Sequence, residues 1–359
     1  ENITGSNGND TITGDNDKNT LTGLNGDDVL SGQGGNDYIN GGLGSDTASY
    51  SEKTVSVTVD FKTGLATTTI ESDTLVSIEN IIGGTVADLF KMNEDNIDNA
   101  INGGNGSDTV SYEYYVSNGV KVNLSTSLAQ IVVAGTDNDV DTLTNIENIS
   151  GSTQDDTFIG SSTANSILGN AGNDTFIAGT DSNNDGVLDT WANDGSDYFD
   201  GGSGTGDWID YSIITDDSNS GTNGLSLTLD GANIAIATVR GGSTDSILNV
   251  ENVSGTQDSD NIKGDNQNNT IYGNAGNDIL SGEAGIDKLY GGADADTLLG
   301  GSGADILIGE SGNDTLTGDT GSDKIYGGTF DGTTHTDAGI DTVDYTDALE
   351  TLTIDLQLS

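Results

Sequence analysis

The sequence predicts an all-β fold in which arrays of parallel β-roll, a form of β-solenoid, alternate with short β-strand interludes. The first observation is a nine-residue repeat that runs without interruption from Gly255 to Tyr326, with units such as GNAGNDILS and GEAGIDKLY. The second is that each repeat has one reliably large apolar residue, at its eighth position. Such residues close a thin core if short strands stack in parallel about 4.8 Å apart and turn them inward.

The other residues of each repeat have to reverse the chain. Glycine at the first position, and often at the second or fourth, allows the positive φ angles of a tight turn. Aspartate at the sixth position sets a carboxylate beside the turn carbonyls. A cage of carbonyl and carboxylate oxygens suits calcium, which tolerates irregular geometry better than magnesium does. The sequence therefore predicts multiple Ca2+ ions as the cofactor.

The nonapeptides form four arrays separated by interludes, and the chain ends at the start of another interlude. The predicted segments are array 1 at 1–50, an interlude at 51–82, a short irregular array 2 at 83–112, an interlude at 113–150, array 3 at 151–211 with an inserted acidic loop at 180–194, an interlude at 212–254, array 4 at 255–345, and a truncated interlude at 346–359. The chain begins and ends within this pattern, so we expect it to be a piece of a longer protein.

The predicted metal ligands are mainly the sixth-position aspartates. They are Asp10, Asp28, Asp37, Asp46, Asp88, Asp108, Asp156, Asp174, Asp197, Asp207, Asp260, Asp278, Asp287, Asp296, Asp305, Asp314, Asp323 and Asp341. If each nonapeptide after the first two of an array completes one site, about a dozen ions bind.

A second kind of calcium loop is predicted inside array 3. Asp181, Asn183, Asp185 and Asp189 follow the D-x-[DN]-x-[DN]-G spacing, with Gly186 at the bend. Position 12 of this loop is Ala192 instead of a bidentate acid, so a merely acidic turn is the alternative. A looser cluster at 137–141 is a weaker metal candidate.

A larger module overlies the nonapeptides. The second repeat of each array carries asparagine in place of the sixth-position aspartate, at Asn19, Asn99, Asn165 and Asn269. Asparagine keeps an oxygen but removes the charge, so it marks either a weaker site or an end turn.

Each array also ends in a recurring way. It closes with an aspartate followed four residues later by tyrosine, at Tyr50, Tyr112, Tyr211 and Tyr345, and these tyrosines are interpreted as packing caps. Alternating apolar residues then predict a half-buried strand, at Val55, Val57 and Val59, at Val120, Val122 and Leu124, at Leu225, Leu227 and Leu229, and at Leu352, Ile354 and Leu356.

The three complete interludes end in similar motifs, DTLVSIENI, DTLTNIENI and DSILNVENV. Their glutamates are Glu79, Glu147 and Glu251, each just before a new array. These glutamates either satisfy backbone donors of the new array or complete its first metal site.

Composition supports cation-dependent folding. The net charge is −50, from 59 acidic residues against nine Lys and Arg. Such self-repulsion opposes a compact state without metal, and a chain with 54 glycines and 32% hydrophobic residues lies near the disordered class. Metal binding energy is then folding energy. This acidity excludes nucleic acid as a partner, and no apolar run is long enough for a transmembrane segment.

The nonapeptides resemble those of the repeats-in-toxin (RTX) family. This resemblance implies a right-handed parallel β-roll with two nonapeptides per turn and calcium between turns on the same side. It also implies export by a bacterial type I secretion system and folding in external calcium. The exits and the I-E-N-I entries are similar to those of long RTX surface proteins, adhesins and S-layer proteins.

Catalysis is not expected. The chain has no cysteine, and its single histidine, His335, lies in a polar loop and is interpreted as solvated, which argues against a Ser-His-Asp or Cys-His arrangement. A zinc site would need nitrogen or sulfur ligands that the sequence does not have. Nearly every aspartate has a turn position in the repeat, which argues against carboxylates that act in glycoside hydrolysis. A polysaccharide epimerase or lyase needs basic groups to neutralise its uronate substrate, and the basic residues, Arg240 among them, are too scattered for this.

Three functional hypotheses remain. The first is a calcium-rigidified structural segment of a bacterial extracellular or cell-surface protein, which assembles with copies of itself in a lattice or filament. The second is a secretion and stability module of an exported enzyme or toxin. The third is a module that binds surface polysaccharide through Trp191, Trp208, Tyr198 and Phe199, although such aromatics more often cover the end of a solenoid.

Overall fold

The computed structural model describes residues 1–95, 97–125, 129–130, 132–133, 140–178, 196–214, 224–239, 244–330, 335–336 and 342–344. The described residues form short strands joined by turns, and the strands stack mainly in parallel. The predicted all-β parallel roll is thereby confirmed. The part of the chain that the structure describes contains no apolar helix of membrane-spanning length.

The chain divides into two compact units. One consists of Glu1–Ser161 with Asn165–Ala171, and the other of Ser162–Ala164 with Gly172–Ser359.

The first unit contains two long stacks of strands and a short one. In hydrogen-bonding order, the first stack is Asn2–Thr4, Thr20–Asn25, Tyr38–Leu43, Ser72–Val76, Leu65–Thr67, Thr58–Asp60, Leu89–Lys91, Thr109–Ser111, Asn148–Ser150 and Ser166–Leu168. The second stack is Thr11–Thr13, Val29–Ser31, Thr47–Ser49, Asn80–Ile82, Ala100–Asn102, Thr142–Thr144 and Ala129–Gln130. The short stack is Val132–Val133, Val120–Asn123 and Thr157–Ile159.

The second unit is built in the same way. Its first stack is Tyr198–Asp200, Thr244–Leu248, Ala235–Val239, Leu225–Thr228, Asn261–Lys263, Ile279–Ser281, Thr297–Leu299, Thr315–Thr317 and Thr342–Asp344. Its second stack is Thr175–Ile177, Trp208–Asp210, Asn252–Ser254, Thr270–Ala275, Lys288–Ala293, Ile306–Ser311 and Lys324–Tyr326. Two small pairs join Ser302–Gly303 to Thr320–Gly321 and Thr329–Phe330 to His335–Thr336.

Successive repeats of array 4 enter the two stacks alternately. Ile262 is in register with Leu280, and Leu280 with Leu298, so neighbours in one stack are 18 residues apart. Ile271 and Leu289 form the facing row in the other stack. All five side chains are fully buried. Two nonapeptides therefore make one coil, and the eighth-position residues form a core one side chain deep on each face.

The interludes are inserted into a stack without interrupting it. In the first one, Thr58–Asp60, Leu65–Thr67 and Ser72–Val76 pair antiparallel with one another. The outer two strands also pair in parallel with Leu89–Lys91 and with Tyr38–Leu43. The roll therefore continues through the interlude, because the outer two interlude strands pair with the neighbouring coils as ordinary roll strands do.

The predicted alternation in the interludes is largely observed. Val120, Val122 and Leu124 are buried, and so are Leu225, Leu227 and Leu229. Val57 and Val59 are also buried, but the expectation for Val55 was wrong, since it is 41% exposed. Val55 precedes the strand, which begins at Thr58, so strand alternation does not govern its side chain. Leu352, Ile354 and Leu356 lie outside the described residues.

Candidate calcium centres

The sixth-position aspartates line both sides of the roll and are held by one repeated hydrogen bond. In array 4, the main-chain N–H of Asp278 donates to Oδ1 of Asp296 at 2.8 Å, and that of Asp260 donates to Oδ1 of Asp278 at 2.7 Å. The opposite side repeats the pattern with Asp287 and Asp305 at 2.9 Å. Each aspartate thus joins its own coil to the previous coil on its side and leaves Oδ2 for another role.

The same bond recurs in the other arrays. The carboxylates that accept a main-chain N–H through Oδ1 include those of Asp28, Asp37, Asp46, Asp88, Asp108, Asp156, Asp207, Asp260, Asp314 and Asp323. The structure therefore arranges the candidate ligands in rows along the sides of the roll, and neighbours in a row are 18 residues apart in arrays 1 and 4.

Oδ2 distinguishes two kinds of turn. In the first repeat of each array it accepts the N–H of the second residue of its own turn: Ser6 donates to Asp10, Gly84 to Asp88, Ser152 to Asp156, and Thr256 to Asp260. We call these closed turns, because the side chain satisfies the turn from within. Described residues of these four turns all have negative φ.

In arrays 1, 3 and 4, the asparagine of the second repeat also forms a closed turn. Oδ1 of Asn269 accepts the N–H of Asp265 at 2.9 Å, and its Nδ2 donates to the main-chain oxygen of Glu251 at 2.8 Å. Asn165 makes the same bond to the oxygen of Glu147. An aspartate could not make this second bond, since an ionised carboxylate only accepts. The asparagine therefore connects each new array to the I-E-N-I entry.

The later repeats form open turns. The buried Oδ2 atoms that have no hydrogen-bond partner among the described residues include those of Asp28, Asp37, Asp46, Asp108, Asp278, Asp287, Asp296 and Asp305. In the turns of these aspartates, the second and fourth residues adopt left-handed φ values, for example +71° at Glu283 and +144° at Gly285. Glycine relieves the strain of that conformation at many of these positions.

Main-chain oxygens approach the carboxylates of the open turns. In array 1, a Cβ placed on Gly23 would collide with both the main-chain oxygen of Gly41 and Oδ2 of Asp28. In array 4, a Cβ on Gly301 would collide with the main-chain oxygen of Glu283. Each open turn thus leaves a small cradle lined by oxygen atoms, which is the donor set that a hard cation such as calcium prefers.

Side chains alone do not make these sites. Nowhere in the described ranges do three Asp, Glu, His or Cys side chains converge as a metal site would need. Each cradle instead combines carboxylate oxygens with main-chain carbonyls, so the residues present fit calcium through a mixed set of ligands.

Burial makes these carboxylates electrostatically costly. Loss of solvent raises the pKa of Asp278 to about 8, and the pKa values of Asp287 and Asp296 to about 7. In the other arrays, burial raises the pKa of Asp108 and of Asp156 to about 6. A desolvated carboxylate without a neighbouring cation favours its neutral form, and a bound cation reverses this preference.

The exit tyrosines satisfy a further set of aspartates. The hydroxyl of Tyr211 donates to Oδ2 of Asp245 at 2.9 Å, and that of Tyr50 to Oδ2 of Asp73 at 3.2 Å. Oδ1 of Asp73 accepts the N–H of Asp37, as a sixth-position aspartate would. The sequence pattern did not reveal the role of Asp73 and Asp245, although they open the motifs that end in I-E-N-I and V-E-N-V.

The entry glutamates have a backbone role. Oε2 of Glu79, Glu147 and Glu251 accepts the N–H of the exit aspartate of the preceding array, at 2.8 to 3.1 Å. Each glutamate therefore closes the preceding array, whereas the sequence suggested a contact with the array that follows.

The remaining candidates are either buried or not described. Asp181, Asn183, Asp185, Asp189 and Asp341 lie outside the described residues, as do Asp137, Asp139, Trp191, Arg240, Tyr345 and the side chain of His335. Sixth-position Asp197 donates its N–H to Asp245, and Asp174 donates its own to Asp207.

The aromatic residues of array 3 are largely used in packing. Phe199 is buried against Phe176, with ring centroids 5.5 Å apart. Trp208 stacks on Tyr272, and Tyr272 stacks on Tyr290 at 4.5 Å. These contacts cover both faces of Tyr272 and one face of Trp208, which leaves less aromatic surface for a sugar ring.

Comparison with known proteins identifies the repeats. The family model of the RTX calcium-binding nonapeptide repeat matches residues 1–23, 13–48, 150–184, 254–289, 273–307 and 299–334. A search of curated proteins found no match to the chain. The matched segments overlap arrays 1, 3 and 4. The chain therefore contains calcium-binding nonapeptide repeats of the RTX type.

Proposed function

We propose that this chain is a structural segment of a bacterial extracellular or cell-surface protein, of the S-layer or adhesin type, which calcium makes rigid by coupling ion binding to folding. Proteins with RTX repeats are in general secreted, which supports an extracellular location. The observation that carries the proposal is the set of buried Oδ2 atoms in the open turns, which have no hydrogen-bond partner in the described structure.

The ion supplies positive charge to oxygen atoms that the fold has removed from water. The chain's own residues form the site that the ion would occupy. Oδ1 of each sixth-position aspartate fixes the distance between coils, and the left-handed turn residues direct carbonyl oxygens toward the next coil. Because a chain of net charge −50 resists compaction, ion binding and coil formation occur together.

The open turns are the proposed calcium sites, and the closed turns are proposed to start each array without an ion. Asp260 and Asn269 satisfy their own turns with hydrogen bonds, so the first coil of array 4 has little need of a cation. Each later coil then pairs its strand with the coil already formed and completes its calcium site beside it. Folding would proceed from these starting coils along the arrays.

We propose no catalytic role. The sixth-position aspartates whose pKa values are raised lie in repeated turns along the roll and not in a single cleft, which favours a shared structural purpose.

Circular dichroism during a chelator titration tests the proposal. We expect EGTA to abolish the β signal cooperatively, calcium to restore it, and equimolar magnesium to restore it poorly. A β signal unchanged by complete calcium removal would contradict calcium-coupled folding.

Assembly distinguishes the structural role from the alternative of a secretion and stability module of an exported enzyme or toxin. Electron microscopy at millimolar calcium should show sheets or filaments that disperse in EGTA. Monomers under both conditions would favour the module. Binding of surface polysaccharide is less well supported, since Trp208 is stacked on Tyr272 and Phe199 is buried.

A further inference from the structure

Lys53 is a buried lysine at the end of array 1. The residue is 9% exposed in a chain with only nine Lys and Arg. Its Nζ donates to the main-chain oxygen of Gln33 at 2.5 Å and to Oε2 of Glu71. Burial of a lysine removes its ammonium from water, so the surroundings have to replace that hydration.

The group beneath Lys53 is an open turn. Gln33 is the second residue of the repeat that begins at Gly32, and its φ is +64°. Asp37, the sixth residue of that repeat, has a buried Oδ2 with no hydrogen-bond partner among the described residues. The same turn therefore has an unsatisfied carboxylate oxygen and a carbonyl oxygen directed toward the next coil.

Inside the arrays, the carbonyl equivalent to that of Gln33 faces another turn. The main-chain oxygens of Leu24, Asn274 and Glu283 approach Gly42, Gly292 and Gly301, each 18 residues later. After Gln33 the next turn on that side is the exit turn Tyr50–Lys53, closed by the N–H of Lys53 donating to the oxygen of Tyr50 at 2.8 Å. The Lys53 ammonium thus lies between two successive turns, where a cradle forms elsewhere.

The other exit turns have the same backbone but a different side chain. Tyr115 donates its N–H to Tyr112 and Ile214 donates its N–H to Tyr211, both at 2.9 Å. Tyr115 and Ile214 are buried. The preceding turn on the side of the Tyr112 exit begins with Met92, whereas the preceding turn on the side of the Tyr50 exit begins with Gly32. The cation Lys53 therefore lies at an exit that follows an open turn, and the Tyr112 exit carries the neutral residue Tyr115.

We propose that the Lys53 ammonium replaces a calcium ion between the Gly32 turn and the exit turn of array 1. This inference rests on the proposed calcium-coupled folding and specifies one place where no calcium is bound. The tethered ammonium is present whatever the calcium concentration, so it supplies positive charge to the last open turn on this side of array 1, at the point where the chain enters the interlude. Glu71, from the interlude strand region, holds the ammonium in place.

Amine labelling of the wild-type protein tests the proposal directly. Folded protein in saturating calcium is treated with an acetylating reagent, and the rate at each lysine is read by peptide mass spectrometry. Lys263, whose side chain is 46% exposed and paired with Glu283, is the reference. We expect Lys53 to react at least about tenfold more slowly than Lys263, because its amine reacts only after local opening. If calcium takes the place beside Gln33, the ammonium is displaced and Lys53 reacts as fast as Lys263, which would overturn the proposal.

A neutral variant gives the second test. Lys53→Met keeps the length of the side chain but removes its charge, leaving the Gln33 oxygen, Asp37 and Glu71 for an ion. Metal analysis after dialysis should find one more calcium per chain than in the wild type, whereas Lys263→Met should leave the number unchanged. An unchanged number in folded Lys53→Met contradicts the proposal. If this variant does not fold, the labelling rates of the wild type still decide.

The two proposals fail in different ways. Calcium-coupled folding fails if EGTA leaves the β signal intact, an outcome independent of the reactivity of Lys53. The Lys53 proposal fails if that lysine is labelled rapidly in a protein whose folding does depend on calcium.

Discussion

The main-chain N–H of Asp278 donates to Oδ1 of Asp296 at 2.8 Å, while Oδ2 of Asp296 is buried with no hydrogen-bond partner in the described structure. One carboxylate thus joins two coils with one oxygen and leaves the other for a cation.

Asp296→Asn should weaken calcium binding at one open turn. The carboxamide can keep the bond from the N–H of Asp278 but removes the negative charge at the cradle. We expect the local calcium affinity to fall about tenfold, which corresponds to ~1.4 kcal/mol, and the calcium midpoint of folding to rise. A calcium titration followed by circular dichroism measures the shift.

Asp294→Asn is the matched control for that change. Asp294 lies in the same turn with an exposed side chain and a φ of +79°, which asparagine tolerates. The substitution removes the same charge, but from an exposed side chain. The calcium midpoint of folding should therefore stay near that of the wild type. Equal shifts in the two variants would mean that general charge matters, and not the cradle.

Asn269→Asp should destabilise the start of array 4. The aspartate cannot donate to the main-chain oxygen of Glu251, and it adds a negative charge beside that glutamate. The loss should be about 1–3 kcal/mol, measured by thermal unfolding in saturating calcium. Asn277→Asp is the control, because Asn277 uses only its Oδ1, which accepts the N–H of Ala295 at 2.9 Å. A stable Asn269→Asp protein that binds additional calcium would instead make this turn a latent metal site.

The sequence was sufficient to predict the roll, because a single apolar residue in nine leaves no other way to form a core. It could not separate open from closed turns. The repeats at Gly5 and Gly23 both have the pattern G-x-N-G-x-D, yet Asp10 accepts a bond from within its turn and Asp28 does not. The difference depends on the place of each repeat along its array, which the nonapeptide itself does not encode.

The exit contacts were harder still to foresee. Tyr211 and Asp245 are 34 residues apart, with an interlude between them, and Lys53 lies 20 residues after Gln33, just past the end of array 1. The repeat period gives no register across such an insertion, so only the folded chain reveals that these residues meet.

Tyr211→Phe should destabilise the end of array 3. Removal of the hydroxyl leaves Oδ2 of Asp245 without the bond of 2.9 Å in a buried position. We expect a loss of about 1–3 kcal/mol in the free energy of unfolding in saturating calcium, determined by denaturant titration. Tyr198→Phe removes only a longer contact of 3.4 Å to Asp200 at a partly exposed site, and it should cost less. Equal losses in both variants would indicate that the Tyr211 hydroxyl contributes no special stabilisation.

Acidification should restore structure to the calcium-free protein. Burial raises the folded-state pKa of Asp278 to about 8 and that of Asp287 to about 7, both from an ordinary value of 3.8. The folded state therefore holds protons more tightly than the unfolded state. Its relative stability is greatest below pH 3.8, and it is lost as the pH rises through about 7 to 8. In excess chelator, circular dichroism should show a growing β signal as the pH falls from 8 to 4. Saturating calcium should reverse the trend, since protons compete with the ion for the same oxygens, and a calcium-free signal that weakens on acidification would contradict the role assigned to these carboxylates.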